Sequence, residues 1–138
     1  MKRWGLSLAL VVLAFSRLGR TADGPEAMAT NEAKAWLALV DEGKVGESWD
    51  GAAKLFKGAV TRGKWQDAVA ATRGRLGKVV SRDVKSAKFA TTLPGAPDGK
   101  YVVIQFDTAF EKKKKAVETV TPMQEADGSW KVSGYYIK

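Results

Sequence analysis

Two periodicities divide the chain. From Thr30 to Gly77 the apolar residues recur every three or four positions, and from Val79 onward they tend to alternate. In the first region Thr30 suits an N-cap, and Ala33, Trp36, Leu37 and Val40 follow on one helical face until Gly43. A second helix is predicted over Val45–Phe56, with Val45, Trp49, Ala52, Ala53 and Phe56 as its stripe. A third starts at Thr61, turns Trp65, Ala68, Val69, Thr72 and Leu76 inward, and stops at Gly77. In the second region Val79–Leu93, Tyr101–Asp107, Ala116–Met123 and Ser129–Lys138 read as strands, with Asp98-Gly99 and Asp127-Gly128 as hairpin signals. Within the first strand, Asp83–Ser86 is a candidate bulge. In the last, Trp130, Val132, Gly134 and Tyr136 share one face, and Lys131, Ser133, Tyr135 and Ile137 the other. Pro122 cannot donate to a ladder, so it belongs at an edge, a bulge or a strand end. Helices first and strands after predict an α+β domain: three N-terminal helices packed on a curved, cone-like, four-stranded antiparallel sheet.

The stretch before Thr30 follows a different logic. Lys2 and Arg3 precede an apolar run, Gly5–Phe15, too short to span a bilayer, which needs about 20 residues, but suited to a signal-peptide core. Ala27-Met28-Ala29 supplies a small-residue cleavage pattern, although Arg17 and Arg20 make the approach to it long and basic; a cut near Ala22 is the other option. The expected organisation is a signal peptide over residues 1–29 and a single domain over 30–138, exported to the periplasm or secreted. An uncleaved N-terminal anchor and a plain core helix are the competing readings of the leader. The mature form is expected to have no stable membrane span.

Composition narrows the chemistry. The 138 residues suffice for one domain with its own core. There is no cysteine, hence no disulfide or thiolate, and no histidine, the side chain most used for acid–base work near neutral pH. The net charge of +8 becomes +6 once four basic and two acidic leader residues are set aside, an excess that solubility alone accounts for.

Candidate chemistry is sparse. Trp36, Trp49 and Trp65 are either walls of a cavity between helices and sheet or filled core, and Phe89, Phe106 and Trp130 carry the same ambiguity. Tyr101, Val103, Gln105 and Asp107 alternate onto one strand face, where phenol, amide and carboxylate either converge on a polar ligand or are solvated. Glu118 and Thr119 are equally open. No spacing sets a second carboxylate beside Asp107 for general acid–base catalysis, and no calcium-loop or phosphate-cradle pattern is present, so no metal or cofactor is expected. The run Lys112, Lys113, Lys114, Lys115 is either an exposed hairpin loop or a cationic patch for lipid head groups or another polyanion. Without interleaved aromatics or arginines it does not suggest nucleic acid.

A set of stretches taken in order resembles one known family: Ala35-Trp-Leu-Ala-Leu-Val-Asp-Glu-Gly43, Ser48-Trp49, Lys64-Trp65, Leu76-Gly77, Thr91-Thr-Leu-Pro-Gly-Ala-Pro-Asp-Gly99, Tyr101-Val-Val-Ile-Gln-Phe-Asp107, Glu118-Thr-Val-Thr-Pro-Met123 and Trp130-Lys-Val-Ser-Gly-Tyr-Tyr-Ile137. It is the bacterial domain of unknown function numbered 4019, and the resemblance covers Thr30 to Lys138. It implies an exported bacterial protein and carries no catalytic residues. The order of elements is more loosely similar to the cystatin-like, nuclear-transport-factor-2-like cone, which implies a pocket between helices and sheet without naming a function. Together these lead to a non-enzymatic module of the cell envelope, monomeric or homodimeric, binding a small apolar or amphipathic ligand or an envelope protein. If the aromatics enclose a pocket, it is expected to be lined by Trp36, Trp49, Tyr101, Phe106, Trp130 and Tyr136, with Gln105 and Asp107 at the mouth. The alternatives are a cone-type enzyme using Asp107 with Tyr101 or Tyr136, and a structural subunit that dimerises through its sheet.

Overall fold

The computed structural model describes residues 24–138. Four helices precede four strands. Helix α1 (Pro25–Asp41) starts earlier than its predicted N-cap at Thr30, because Pro25 supplies a preset first-turn φ after an extended Gly24. Thr30 lies inside the helix, its hydroxyl donating to the Glu26 carbonyl at 2.6 Å. The candidate leader falls mostly outside the described residues. Its last part, Pro25–Ala29, forms the start of α1, with Ala29 fully buried.

The second predicted helix is two, α2 (Val45–Asp50) and α3 (Lys54–Ala59). The break has a tertiary cause. Ala53 is extended, and its N–H donates to the Val132 carbonyl at 2.8 Å, a bond to the sheet made in place of one along a helix. Helix α4 (Arg62–Leu76) is capped by Thr61, whose hydroxyl accepts from the Lys64 N–H at 3.3 Å, and ends at Gly77 with φ +75°. There a Cβ would sit 3.0 Å from Glu111 Cβ, so both the conformation and the close approach require glycine. Ala68 and Thr72, expected inward, are exposed; Trp65 and Val69 are the buried residues of this helix.

Strands β1 (Val79–Ala90), β2 (Tyr101–Phe110), β3 (Lys113–Gln124) and β4 (Trp130–Ile137) form one antiparallel sheet in that order. The β1 register slips between Val84 and Ser86, where a bulge was expected. The link from β1 to β2 is a longer loop than the Asp98-Gly99 signal suggested. Its positive φ falls at Gly95, and Tyr101 ties it down by donating to the Pro97 carbonyl at 2.6 Å. Asp127-Gly128 does form the predicted turn, with Gly128 at φ +86°. The lysine run is not a loop: only Lys112 stands in the turn, and Lys113–Lys115 begin β3. That turn is held tight from outside, by main-chain bonds from Glu111 to Lys78 and from Lys112 to Leu76 and by the Glu111 carboxylate accepting from the Lys78 N–H at 2.7 Å.

Pro122 lies at a bulge, and the extra residue is on its neighbour. Thr121 faces Gly134 while Pro122 faces Val132, leaving Ser133 unpaired. The expected alternation of β4 therefore reverses after Val132. Trp130 and Val132 point to the helices, then Tyr135 and Ile137 do, and Tyr136 points away.

Helix α1 lies across all four strands. Between helices and sheet, Trp36, Phe56, Trp65 and Tyr135 form a cluster with ring centroids 5.0–6.2 Å apart, edge-to-face except for the tilted Trp36–Trp65 pair. Every indole N–H among Trp36, Trp49 and Trp65 has a partner: Ser48 O, Val60 O and Ser48 Oγ, at 2.9, 2.8 and 3.0 Å. Burying Trp36 alone contributes roughly 4–6 kcal/mol as an upper figure. Of the two readings of these tryptophans, cavity wall or filled core, Trp36 and Trp65 follow the second.

Candidate functional site

One carboxylate stands in this core. Ala116, Glu118 and Val120 of β3 point toward the helices, and Glu118 is fully buried. Its Oε1 accepts from Arg82 Nε at 2.7 Å and from the Thr108 hydroxyl at 2.6 Å. Its Oε2 accepts a short bond from the Tyr135 hydroxyl and a long one, 3.5 Å, from Arg73 Nη2. Both arginines also reach Asp41 at the end of α1, Arg73 at 2.9 Å and Arg82 through two contacts of 2.7 and 3.1 Å. Arg73 donates to the Tyr135 oxygen at 3.3 Å and lies 5.1 Å from the Phe110 ring centre.

Two cations and two anions thus balance in a knot joining α1, α4 and all four strands. Burial opposes the charge on Arg82, but its hydrogen bonds to Asp41 and Glu118 outweigh this and hold it firmly protonated. Burial, followed by the neighbouring Glu118 charge, pushes the Tyr135 phenol well above its ordinary value, so it remains a neutral donor. The four lone-pair positions of Glu118 are all directed at donors of the fold itself. The knot therefore orients and holds. Its unsatisfied member is Arg73 Nε, a buried atom with no hydrogen-bond partner.

Arg73 and Tyr135 also form the back of a cleft of about 290 Å³ between α4 and β4. Trp65, Ala68, Val69 and Thr72 line one wall, and Tyr135, Tyr136 and Ile137 the other. It exists because Ala68 and Thr72 are too small to reach the sheet. Its lining is mainly apolar, with the Thr72, Arg73, Tyr135 and Tyr136 polar groups around it, the composition of a small-ligand site. A wider hollow near 700 Å³ opens on the Asp41 side of Arg73, lined also by Gly74, Lys78 and Glu111.

The eight residues expected to line a pocket are not brought together. Trp36, Phe106 and Trp130 are buried on the helix side of the sheet, and Trp49 is half-buried with Lys57 Nζ 5.8 Å from its ring centre. Tyr101, Gln105, Asp107 and Tyr136 belong to the opposite face, and of these Tyr136 alone borders the cleft, from its outer lip. Asp107 pairs with Asp83 across β1 and β2, in a surface groove of about 360 Å³ shared with Lys114, Lys115 and Lys138. Tyr101 is six residues along the same strand, about 20 Å away, and Tyr136 is two strands over. Asp41, Arg73, Arg82 and Tyr135 were not foreseen. Their signals were an arginine continuing the Trp65–Val69 stripe and a glutamate between two inward apolar residues.

Among the described residues no group of three or more His, Cys, Asp or Glu side chains is arranged to hold a metal, and no helix is long and apolar enough to cross a membrane. Among curated proteins none matches the chain. A family model described as a protein of unknown function, DUF4019, matches residues 32–135, a span that takes in every member of the Glu118 knot and both walls of the cleft up to Tyr135. The chain belongs to the DUF4019 family.

Proposed function

We propose that the protein is an exported, non-catalytic binding module of the cell envelope, and that its site is the cleft between α4 and β4. The observation that carries this is the contrast between interior and cleft. The interior is filled by aromatic side chains, with Glu118 and the Trp36 and Trp65 indole N–H groups partnered within it, while the cleft leaves apolar surface of Trp65, Val69 and Ile137 beside the Thr72 and Tyr136 hydroxyls. A small amphipathic molecule, its chain against the indole and its polar end toward Thr72 and Arg73, matches that lining. The leader-like residues 1–29 support export, and the likeness of the element order to cystatin-like cones supports ligand binding between helices and sheet. Decanoate is a suitable probe. Titration followed by amide NMR should shift the resonances of Ala68, Thr72, Tyr135 and Ile137, and Ala68→Trp, which fills the cleft from an exposed helix position, should abolish the effect. Shifts that persist in Ala68→Trp, or that cluster around Asp107, would remove the cleft from consideration.

A further inference from the structure

The cleft is bounded on one side by main chain as well as side chains. Strand β4 is an edge of the sheet, with β3 on one side only. Val117 and Lys138 exchange both main-chain bonds, at 2.9 and 3.0 Å. In an antiparallel ladder the residues that turn their N–H and C=O toward the neighbour alternate with those that turn them away. With Lys138, Tyr136 and Gly134 facing β3, the N–H and C=O groups of Tyr135 and Ile137 point to the open edge. Among the described residues no main chain outside the sheet and no side chain bonds to these groups. The edge is occupied further back, where Ala53 takes the Val132 carbonyl. The free stretch is therefore Gly134–Ile137, and it lies along the cleft.

Resting on the reading of the cleft as a binding site, we infer that its partner is an extended peptide segment of another protein, added to β4 as a fifth strand. Tyr135 and Ile137 each exchange a pair of main-chain bonds with alternate residues of the peptide. Directly opposed residues in an antiparallel pair share a face. The peptide residues opposite Tyr135 and Ile137 therefore turn toward α4 and enter the cleft against Trp65, Ala68 and Val69. The residue between them lies beside Tyr136. This specifies an apolar–any–apolar core. A volume of about 290 Å³ holds a pair of such side chains and excludes a helix.

Charge sets the flanks and separates this partner from a second copy of the chain. Helix α4 carries Lys64 and Arg75 against Asp67, with Arg62 paired to Asp50 and Arg73 held in the knot, and β4 carries Lys131 with Lys138 at its end. Two chains joined at this edge, each of net charge +8 with the leader and +6 without it, would set like charges together, whereas a peptide with acidic flanks is attracted to it.

The test uses acetyl-Glu-Ser-Val-Thr-Val-Ser-Glu-amide and the same peptide N-methylated at both valines, titrated into the full chain. The parent peptide should bind, slow amide exchange at Tyr135 and Ile137, and lose at least about tenfold in affinity on N-methylation, since two main-chain bonds are removed. Equal binding of both peptides would overturn strand addition while leaving the cleft as a site. Binding of decanoate but of neither peptide would overturn the inference and spare the reading beneath it; binding of neither probe class would remove both. Edge protection that instead rises with protein concentration without peptide would overturn the inference in favour of a second copy.

Discussion

Replacing Glu118 by Gln keeps the shape of the knot and removes the charge that two arginines face. An amide can place its oxygen where Oε1 accepts from Arg82 and Thr108, but its NH2 group then meets the Tyr135 hydroxyl and Arg73 Nη2, both donors in the wild type. Two bonds are lost, one of them to a cation, and Arg73 and Arg82, whose side chains are only 15% exposed, are left sharing Asp41. Breaking a buried ion pair from one side costs about 3–5 kcal/mol, a large part of the ~5–15 kcal/mol that holds a domain of this size. In urea, with a slope of about 1–3 kcal/mol per molar, the midpoint should fall by about 2 M. A companion variant separates lost charge from lost packing. Glu118→Leu, Arg82→Leu, Thr108→Val and Tyr135→Phe together leave Asp41 paired with Arg73 and create no newly orphaned partner, and this variant should stay close to wild type or exceed it. If Glu118→Gln moved the midpoint no more than a surface substitution does, about 0.5 kcal/mol, the knot would not be holding the elements together.

Tyr135 gives a pH signature. Its phenol is raised in the folded protein, so its contribution is fully present below the ordinary tyrosine value near 10 and is lost as pH climbs beyond it. Thermal melts between pH 8 and 11 should show an alkaline decline that Tyr135→Phe lacks, together with a loss of about 1.5–3 kcal/mol in that variant at neutral pH. Gly77→Ala should cost about 1–2 kcal/mol by chemical denaturation, from the positive φ and the Glu111 contact. Glu32, raised by burial against the weaker pull of Lys131, holds a charge the fold opposes. Glu32→Gln should therefore raise the melting temperature at neutral pH, and the gain should vanish as pH falls below the ordinary glutamate range.

What the sequence revealed depends on how far each cause acts. Thr61 and Gly77 were legible as the bounds of α4 because a cap and a left-handed stop are local. Gly128 marked its turn for the same reason. Pro25 also carried a local signal, but one that competed with the small-residue pattern ending at Ala29. The break between α2 and α3 was invisible, since its cause is a bond from Ala53 to Val132 on the last strand. Pro122 marked an edge, a bulge or a strand end without saying which, or that β4 would take the extra residue, and that single residue exchanged Tyr136 for Tyr135 on the inner face. The knot was the least legible feature, because the partners of Glu118 stand 10 to 45 residues away in the chain. Spacing along one strand or helix cannot pair them, and Glu118 between Ala116 and Val120 announced only that a counter-charge was needed.

The knot and the cleft are parts of one arrangement. A helix bearing Ala68 and Thr72 toward an edge strand would normally settle closer until small side chains met the sheet, because uncovered apolar surface favours closure. Arg73 prevents this. One turn beyond Thr72's neighbour Val69, its guanidinium bridges Asp41 and Glu118, and the separation of those two carboxylates fixes the height of α4 above β3 and β4. The tryptophan beneath is fixed in the same way, with Trp65 Nε1 held by Ser48 and its ring against Tyr135. Both walls of the cleft are therefore set by bonds made behind its lining, to Asp41, Glu118 and Ser48. Such a site is preformed, so a ligand or strand entering it loses little to reorganisation of the protein. This accounts for a charged cluster in the core of a small domain where an apolar one would be as stable: it sets a distance that apolar packing would close.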